Sequence, residues 1–61
     1  MPTIMINWLE GRSDDVKRKV AKGITEVLHK EAGVDVSKIH IYMNDMKKTN
    51  IANGGVLIQD Q

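Results

Sequence analysis

The chain has 61 residues, 41% of them hydrophobic, with no cysteine and a formal net charge of +1. This length predicts a single domain over residues 1–61. Apolar burial in so small a domain contributes about 90 kcal/mol, which about 1.5 kcal/mol per residue of ordering entropy almost cancels. Without cysteine a disulfide is excluded, and two histidines alone argue against a structural zinc site. We therefore expect association of subunits to supply the missing stability.

The charge and hydropathy patterns also argue against several classes of partner. Nine Lys and Arg against eight Asp and Glu give no strong positive field for nucleic acid, and Trp8 and Tyr42 are the only aromatic residues that could stack on bases. No segment approaches the ~20 apolar residues of a membrane span, and the N-terminus lacks a signal pattern. Since the absence of cysteine is consistent with a reducing compartment, we expect a cytoplasmic protein that binds neither nucleic acid nor membranes.

The first predicted element is a β-strand over residues 2–9. Apolar side chains at Ile4, Ile6 and Trp8 alternate with those of the opposite face, as in a strand covered on one side. The opposite face carries Met5, so neither face is polar enough to be fully solvated.

A helix of about five turns is predicted next, from about Asp14 to Ala32. Ser13 is a good N-cap, and Gly33 suits the left-handed residue that commonly ends a helix. Gly23 within the helix costs about 1 kcal/mol relative to alanine, which indicates close packing at that position. Apolar residues recur at helical spacing at Val16, Val20, Ile24, Val27 and Leu28.

The second predicted strand covers residues 38–44. Its apolar residues alternate with His40 and Tyr42, so the two sets face opposite sides of the sheet. The order strand, helix, strand predicts an α/β fold, a single βαβ subunit with two parallel strands and a right-handed crossover. Residues 51–58 contain the turn signal Gly54-Gly55 and predict a short C-terminal hairpin or edge-pairing arm.

Two strands covered by one helix leave the other sheet face bare and both edges open. Met5, Leu9 and Tyr42 are assigned to that face and are too apolar to remain in water. We therefore expect the sheet to pack against a copy of itself and the hairpin to pair with a neighbour.

Few side chains are suited to catalysis, which directs attention to the N-terminus. Ser13 is better explained as a helix cap, and His29 as a solvated residue of a charged helix. Removal of Met1, which a small second residue permits, would leave Pro2 with a free secondary amine. An apolar pocket and a nearby guanidinium would lower the pKa of that amine from the ordinary α-amino range of about 7.7–8.0, toward that of a general base. The alternative is ordinary N-terminal processing without catalysis.

Arg12 lies just beyond the first predicted strand, where loops at the carboxyl ends of parallel strands commonly meet ligands. Its guanidinium is suited to hold a carboxylate through two hydrogen bonds. The alternative is a surface arginine paired with Glu10 or Asp15. Since a strand of about 25 Å separates Arg12 from Pro2, the two could share a site only if a neighbouring subunit supplied one of them.

Several motifs, in this order and spacing, resemble those of the 4-oxalocrotonate tautomerase family. They are Pro2, Leu9-Glu10-Gly11-Arg12-Ser13 after the first strand, a Lys-rich helix, Asp45-Met46-Lys47 after the second strand and Gly54-Gly55 near the end. The similarity covers essentially the whole chain. It implies a βαβ subunit, two of which form a four-stranded dimer, usually with three dimers in a hexamer.

The resemblance also implies a function and a site. In the family, the proline matching Pro2 is the general base. The residue matching Arg12 comes from a different subunit and binds a substrate carboxylate. No metal or organic cofactor takes part. We therefore expect a cofactor-independent tautomerase, an isomerase that interconverts enol or dienol and keto forms of a small carboxylic acid such as a 2-hydroxydienoate. Leu9, Trp8 and Ile51 are candidate pocket walls, with Trp8 alternatively in the core under the helix.

Two positions depart from the family's pattern. His40 stands where the name-giving enzyme has a second arginine that polarises the carbonyl side of the substrate, and an imidazole can donate a hydrogen bond there. The alternative for His40 is a filler at the subunit contact, with Lys47 and Lys48 as other possible cations. Ile51 stands in place of a phenylalanine and could still exclude water from the amine.

Two other functions are compatible with the sequence. A non-catalytic family member, used for ligand binding or assembly, would follow from a retained Met1, because an amide nitrogen at Pro2 has no basic lone pair. A ribbon-helix-helix DNA-binding dimer is of similar size, but it needs residues 38–46 to be helical. The alternation of residues 39–43 argues against it.

Overall fold

The computed structural model describes residues 2–61. Met1, whose removal a small second residue permits, lies outside the described residues. Within residues 2–61, no helix is long and apolar enough to cross a membrane. The elements are β1 (Thr3–Leu9), α1 (Asp14–Ala32), β2 (His40–Met46), β3 (Ala52–Asn53) and β4 (Val56–Leu57), with single 3₁₀ turns before β2, after β2 and after β4.

β1 and β2 form a parallel pair joined through α1. Thr3 lies opposite His40, and Leu9 lies opposite Met46, so the two strands are matched over their whole length. This confirms the predicted βαβ architecture. β3 and β4 form a separate antiparallel hairpin, whose loop Gly54-Gly55 has φ angles of +59° and +83°. Two residues of positive φ give the turn that matches the twist of a hairpin, which is why glycine occupies both places.

The helix begins and ends where its capping residues predict. The Ser13 hydroxyl accepts a hydrogen bond from the backbone N–H of Val16 at 3.3 Å. Gly33 adopts a φ of +68°, and its N–H donates to the His29 carbonyl at 3.1 Å, which closes the last turn.

β2 lies two residues further along the chain than predicted, over His40–Met46 instead of residues 38–44. At its start, Asp35 caps a 3₁₀ turn over Val36–Lys38, and Lys38 and the C-cap Ile39 are the two residues that the prediction had assigned to the strand. At its end, the N–H of Glu10 donates to the last carbonyl of β2 at 2.9 Å and extends the ladder. Because this segment is a strand, the ribbon-helix-helix alternative is wrong.

None of residues 2–61 is fully buried, although the side chains between sheet and helix, such as Ile4 and Ile41, are half-buried. On the other sheet face, Met5 is 64% exposed and Tyr42 is 54% exposed. The radius of gyration is 14.8 Å, whereas a compact chain of this length would have about 10 Å. An isolated subunit therefore leaves much of its apolar surface in water.

Candidate active site

The predicted site residues divide between the two ends of β1. Pro2 precedes the strand, and its carbonyl accepts a hydrogen bond from the backbone N–H of His40 at 3.1 Å. His40 is also paired with Thr3 in the parallel ladder. Pro2 and His40 are thus brought together at the start of the sheet, and both are half-buried.

Leu9 and Arg12 lie at the opposite end of β1. Gly11 turns the chain there with a φ of +122°, in a region that favours glycine. The Arg12 guanidinium turns back toward the strand, and its Nη1 donates to the Leu9 carbonyl at 2.8 Å. Since β1 has seven residues and spans about 20 Å, Pro2 and Arg12 of one chain do not meet.

Ile51 lies in the C-terminal segment that follows β2. It is half-buried, and its carbonyl accepts a hydrogen bond from the N–H of Ile58 at 2.9 Å, which holds the hairpin arm closed at its base. It follows the end of β2 that lies beside Leu9. The lysines at the beginning of this segment, Lys47 and Lys48, are exposed.

The guanidinium of Arg12 stacks on the indole ring of Trp8, with Cζ 4.4 Å from the ring centroid. At this distance the negative face of the ring attracts the cation. Trp8 is half-buried on the helix-covered face of β1, as the core alternative predicts, but one face of its ring supports Arg12. Its indole N–H donates to Oδ1 of Asp45 at 2.8 Å. Two contacts, one to the backbone and one to the ring, therefore orient the guanidinium.

Asp45 connects the Trp8 indole to the helix α1. Its Oδ2 accepts a hydrogen bond from the Lys17 ammonium near the start of α1. The Lys17 hydrogen bond, followed by that of Trp8, keeps the pKa of Asp45 below its usual value of 3.8, although partial desolvation opposes the shift. The carboxylate is therefore ionised at neutral pH, with both oxygens engaged.

The pairing alternative for Arg12 does not hold. Asp15 accepts a hydrogen bond from Nη1 of Arg18 at 2.6 Å. Among residues 2–61, the ion pairs are this one and Lys17–Asp45, so Arg12 has no carboxylate partner there. Its charge is available to an anionic ligand.

Sequence reasoning missed the roles of Lys17 and Asp45. The signal that could have revealed them was the strand register, because matching β1 with β2 to the end of both strands places Trp8 opposite Asp45. The sequence prediction ended the second strand at residue 44 and so placed Asp45 outside the sheet.

Comparison with known proteins identifies the family. The family model described as "Tautomerase enzyme" matches residues 2–61. A "probable tautomerase" of Listeria monocytogenes is 40% identical over 60 residues, covering 98% of each chain. The 2-hydroxymuconate tautomerase of Bacillus subtilis is 32% identical over 60 residues, covering 98% of this chain and 97% of its own. The crystal structure of YwhB, described as a homologue of 4-oxalocrotonate tautomerase, superposes with a TM-score of 0.90 at 30% identity, covering 98% of both chains.

The chain therefore belongs to the tautomerase family, and its fold is that of the 4-oxalocrotonate tautomerase group. Membership supports an enzyme of the isomerase class that interconverts tautomers.

Proposed function

We propose that this protein is a cofactor-independent tautomerase that interconverts the enol or dienol and keto forms of a small carboxylic acid, such as a 2-hydroxydienoate. In this proposal, Pro2 is the general base and acid, and Arg12 anchors the substrate carboxylate. The observation that carries the proposal is the exposed guanidinium of Arg12, which is oriented by Trp8 and Leu9 and has no carboxylate partner among residues 2–61. A relative named a 2-hydroxymuconate tautomerase supports the substrate class.

The proposed reaction moves one proton. The secondary amine of Pro2 takes the proton from the enol hydroxyl through its lone pair, and the O–H electrons remain on the oxygen. These electrons then form the carbonyl while the electrons of the carbon–carbon double bond take the proton back from the Pro2 ammonium at carbon. Atoms and charge balance without a co-reactant, and Pro2 returns to its neutral form. In this proposal, the imidazole of His40, whose backbone N–H bonds to the Pro2 carbonyl, donates a hydrogen bond to the oxygen, where negative charge develops.

The proposed site is shared between subunits, because Pro2 and Arg12 of one chain lie at opposite ends of β1. Met5 and Tyr42 leave apolar surface exposed on the open sheet face, which supports packing of sheets against one another. We therefore propose a homo-oligomer, a hexamer made of three dimers, in which Leu9 and Ile51 line the pocket near Pro2 and exclude water. The expected compartment is the cytoplasm.

A groove on α1 supports a second contact between subunits. It has a volume of about 310 Å³ and an apolar lining of Ile4, Gly23, Ile24, Val27 and Leu28. A Cβ at Gly23 would meet nothing within 4 Å in its own chain, so internal packing does not explain this glycine. Close approach of a neighbouring subunit would explain it.

The proposal requires a free amine at Pro2, and this gives the test. Protein whose intact mass shows loss of Met1 should ketonise phenylenolpyruvate, whereas protein with one uncleavable residue before Pro2 should not. Both should elute as the same oligomer, because the change touches only the terminus. A residue added after Gln61 is the matched control and should leave the rate unchanged.

Two results would oppose the proposal. Equal rates with free and blocked Pro2 would exclude the proline mechanism. A processed protein that turns over no enol acid, but binds carboxylates, would favour the non-catalytic alternative. Titration of the ¹⁵N resonance of Pro2 tests the proline mechanism independently. Shielding by partner subunits should lower the pKa of the amine below that of a free peptide.

A further inference from the structure

Arg12 is held by a chain of contacts that extends from the end of β1 to the start of α1. The guanidinium lies 4.4 Å from the centroid of the Trp8 ring. The indole N–H is fixed by Asp45 at 2.8 Å, and the other oxygen of Asp45 is bonded to Lys17. Each contact fixes the group before it, so the orientation of the ring under Arg12 depends on a residue of α1.

The charges of these contacting side chains matter as much as their geometry. An unpaired carboxylate beside Trp8 would compete with a ligand for the Arg12 guanidinium, because both are anions. Lys17 occupies one oxygen of Asp45 and the indole N–H occupies the other. Lys17 thereby neutralises the local charge and leaves Arg12 as the unpaired cation of this cluster.

We propose that Trp8, Asp45 and Lys17 are positioning residues that order the Arg12 guanidinium before a carboxylate binds. The proposal rests on the function proposed above for the identity of the ligand, but the ordering itself is a property of the free protein. A long arginine side chain normally loses rotamer freedom when it binds an anion, and this loss opposes binding. Stacking on an anchored indole removes part of that loss in advance.

The chain carries its own internal reference for a test, because Arg12 and Arg18 are its only arginines. Arg12 rests on the Trp8–Asp45–Lys17 cluster, whereas Arg18 pairs with Asp15 on the surface of α1, with side-chain exposures of 72% and 81%. ¹⁵N relaxation of the two arginine Nε–H groups, measured on the whole oligomer without ligand, reports the order of each guanidinium separately.

We expect Trp8→Leu and Asp45→Ala each to lower the order parameter of Arg12 and to leave that of Arg18 unchanged. Asp15→Ala is the matched control, since it also removes one carboxylate from an ion pair, and it should lower the order of Arg18 alone. Should Trp8→Leu fail to fold, Trp8→Phe retains the ring face but loses the N–H, and should give an intermediate loss. Unchanged order of Arg12 in Asp45→Ala and in whichever Trp8 variant folds overturns the proposal.

Kinetics distinguish this proposal from the proposed function. With phenylenolpyruvate as the probe, Trp8→Leu should raise KM about two- to tenfold with little change in kcat. In an Arg12→Gln background, the same substitution should have no further effect, because a positioning residue acts only through the group that it positions. An equal effect in both backgrounds overturns the proposal. If the wild type is inactive, the proposed function fails while the relaxation experiment still decides the ordering of Arg12.

Discussion

The backbone N–H of His40 donates to the carbonyl of Pro2 at 3.1 Å, so the first residue of β2 is fixed against the residue that precedes β1. The contact uses only backbone atoms. A substitution at position 40 therefore changes the imidazole without removing the backbone bond that aligns the two strands.

Replacing His40 tests whether its imidazole assists the reaction. His40→Leu should lower kcat for phenylenolpyruvate at least about tenfold, because the developing oxyanion loses a hydrogen-bond donor. The matched control is His29→Leu, which removes the other histidine, whose Nδ1 lies 2.7 Å from the Val34 carbonyl at the far end of α1. If both variants retain the wild-type kcat, His40 is a filler and not a catalytic residue.

Arg12→Gln should raise KM for enol acids by about 10- to 100-fold, because a bidentate, charge-assisted interaction with the carboxylate is lost. Arg18→Gln, which removes the other guanidinium, should leave KM unchanged. Steady-state kinetics at constant ionic strength would measure both. Equal values of KM in the two variants would show that Arg12 is not the anchor.

Lys17→Gln should weaken carboxylate binding even though Lys17 itself is not proposed to contact the substrate. The substitution leaves Asp45 with an uncompensated negative charge near Arg12, which competes with the ligand. We expect KM to rise about threefold, an effect of the size typical for partly exposed charges. Lys19→Gln, at an exposed helix position, controls for the change in net charge, and an equal rise there would contradict the local explanation.

Acidification should release Trp8 from Asp45. The Lys17 hydrogen bond lowers the pKa of Asp45 in the folded protein. The ionised Asp45 carboxylate therefore contributes fully to stability above the ordinary carboxyl pKa of 3.8, and this contribution is lost as the pH falls through the lower pKa of the folded protein. The emission of Trp8, the only tryptophan, should therefore change below pH 3.8 and remain constant above it. In Asp45→Asn this transition should disappear, and its persistence would assign it to another group.

Gly23→Ala separates the stability of the helix from that of the assembly. In one chain the added methyl meets nothing within 4 Å, and alanine is favoured in a helix by about 1 kcal/mol. If a subunit packs on the groove, the oligomer should nevertheless dissociate at higher protein concentration than the wild type, as measured by analytical ultracentrifugation. A variant that is more stable and equally associated would place the interface elsewhere.

Local patterns were sufficient to predict the fold. Alternation in β1, the cap at Ser13 and the left-handed Gly33 act within a few residues, and the structure confirms each of them. The bounds of β2 were predicted two residues too early, because they depend on the Asp35 cap and on a bond to Glu10 from another part of the chain. The same long-range pairing brings Asp45 beside Trp8, so the support of Arg12 could not be predicted from spacing alone.

Under the proposed mechanism, the length of β1 has a genetic consequence. In the proposed oligomer, each chain would contribute its proline to one pocket and its guanidinium to another, because the two lie at opposite ends of β1. A polypeptide damaged at Pro2 would still carry an intact Arg12, and the reverse. When two such defective polypeptides co-assemble, some pockets would receive an intact Pro2 and an intact Arg12 and regain activity. Alleles that are each inactive alone would thus complement one another in a cell that expresses both.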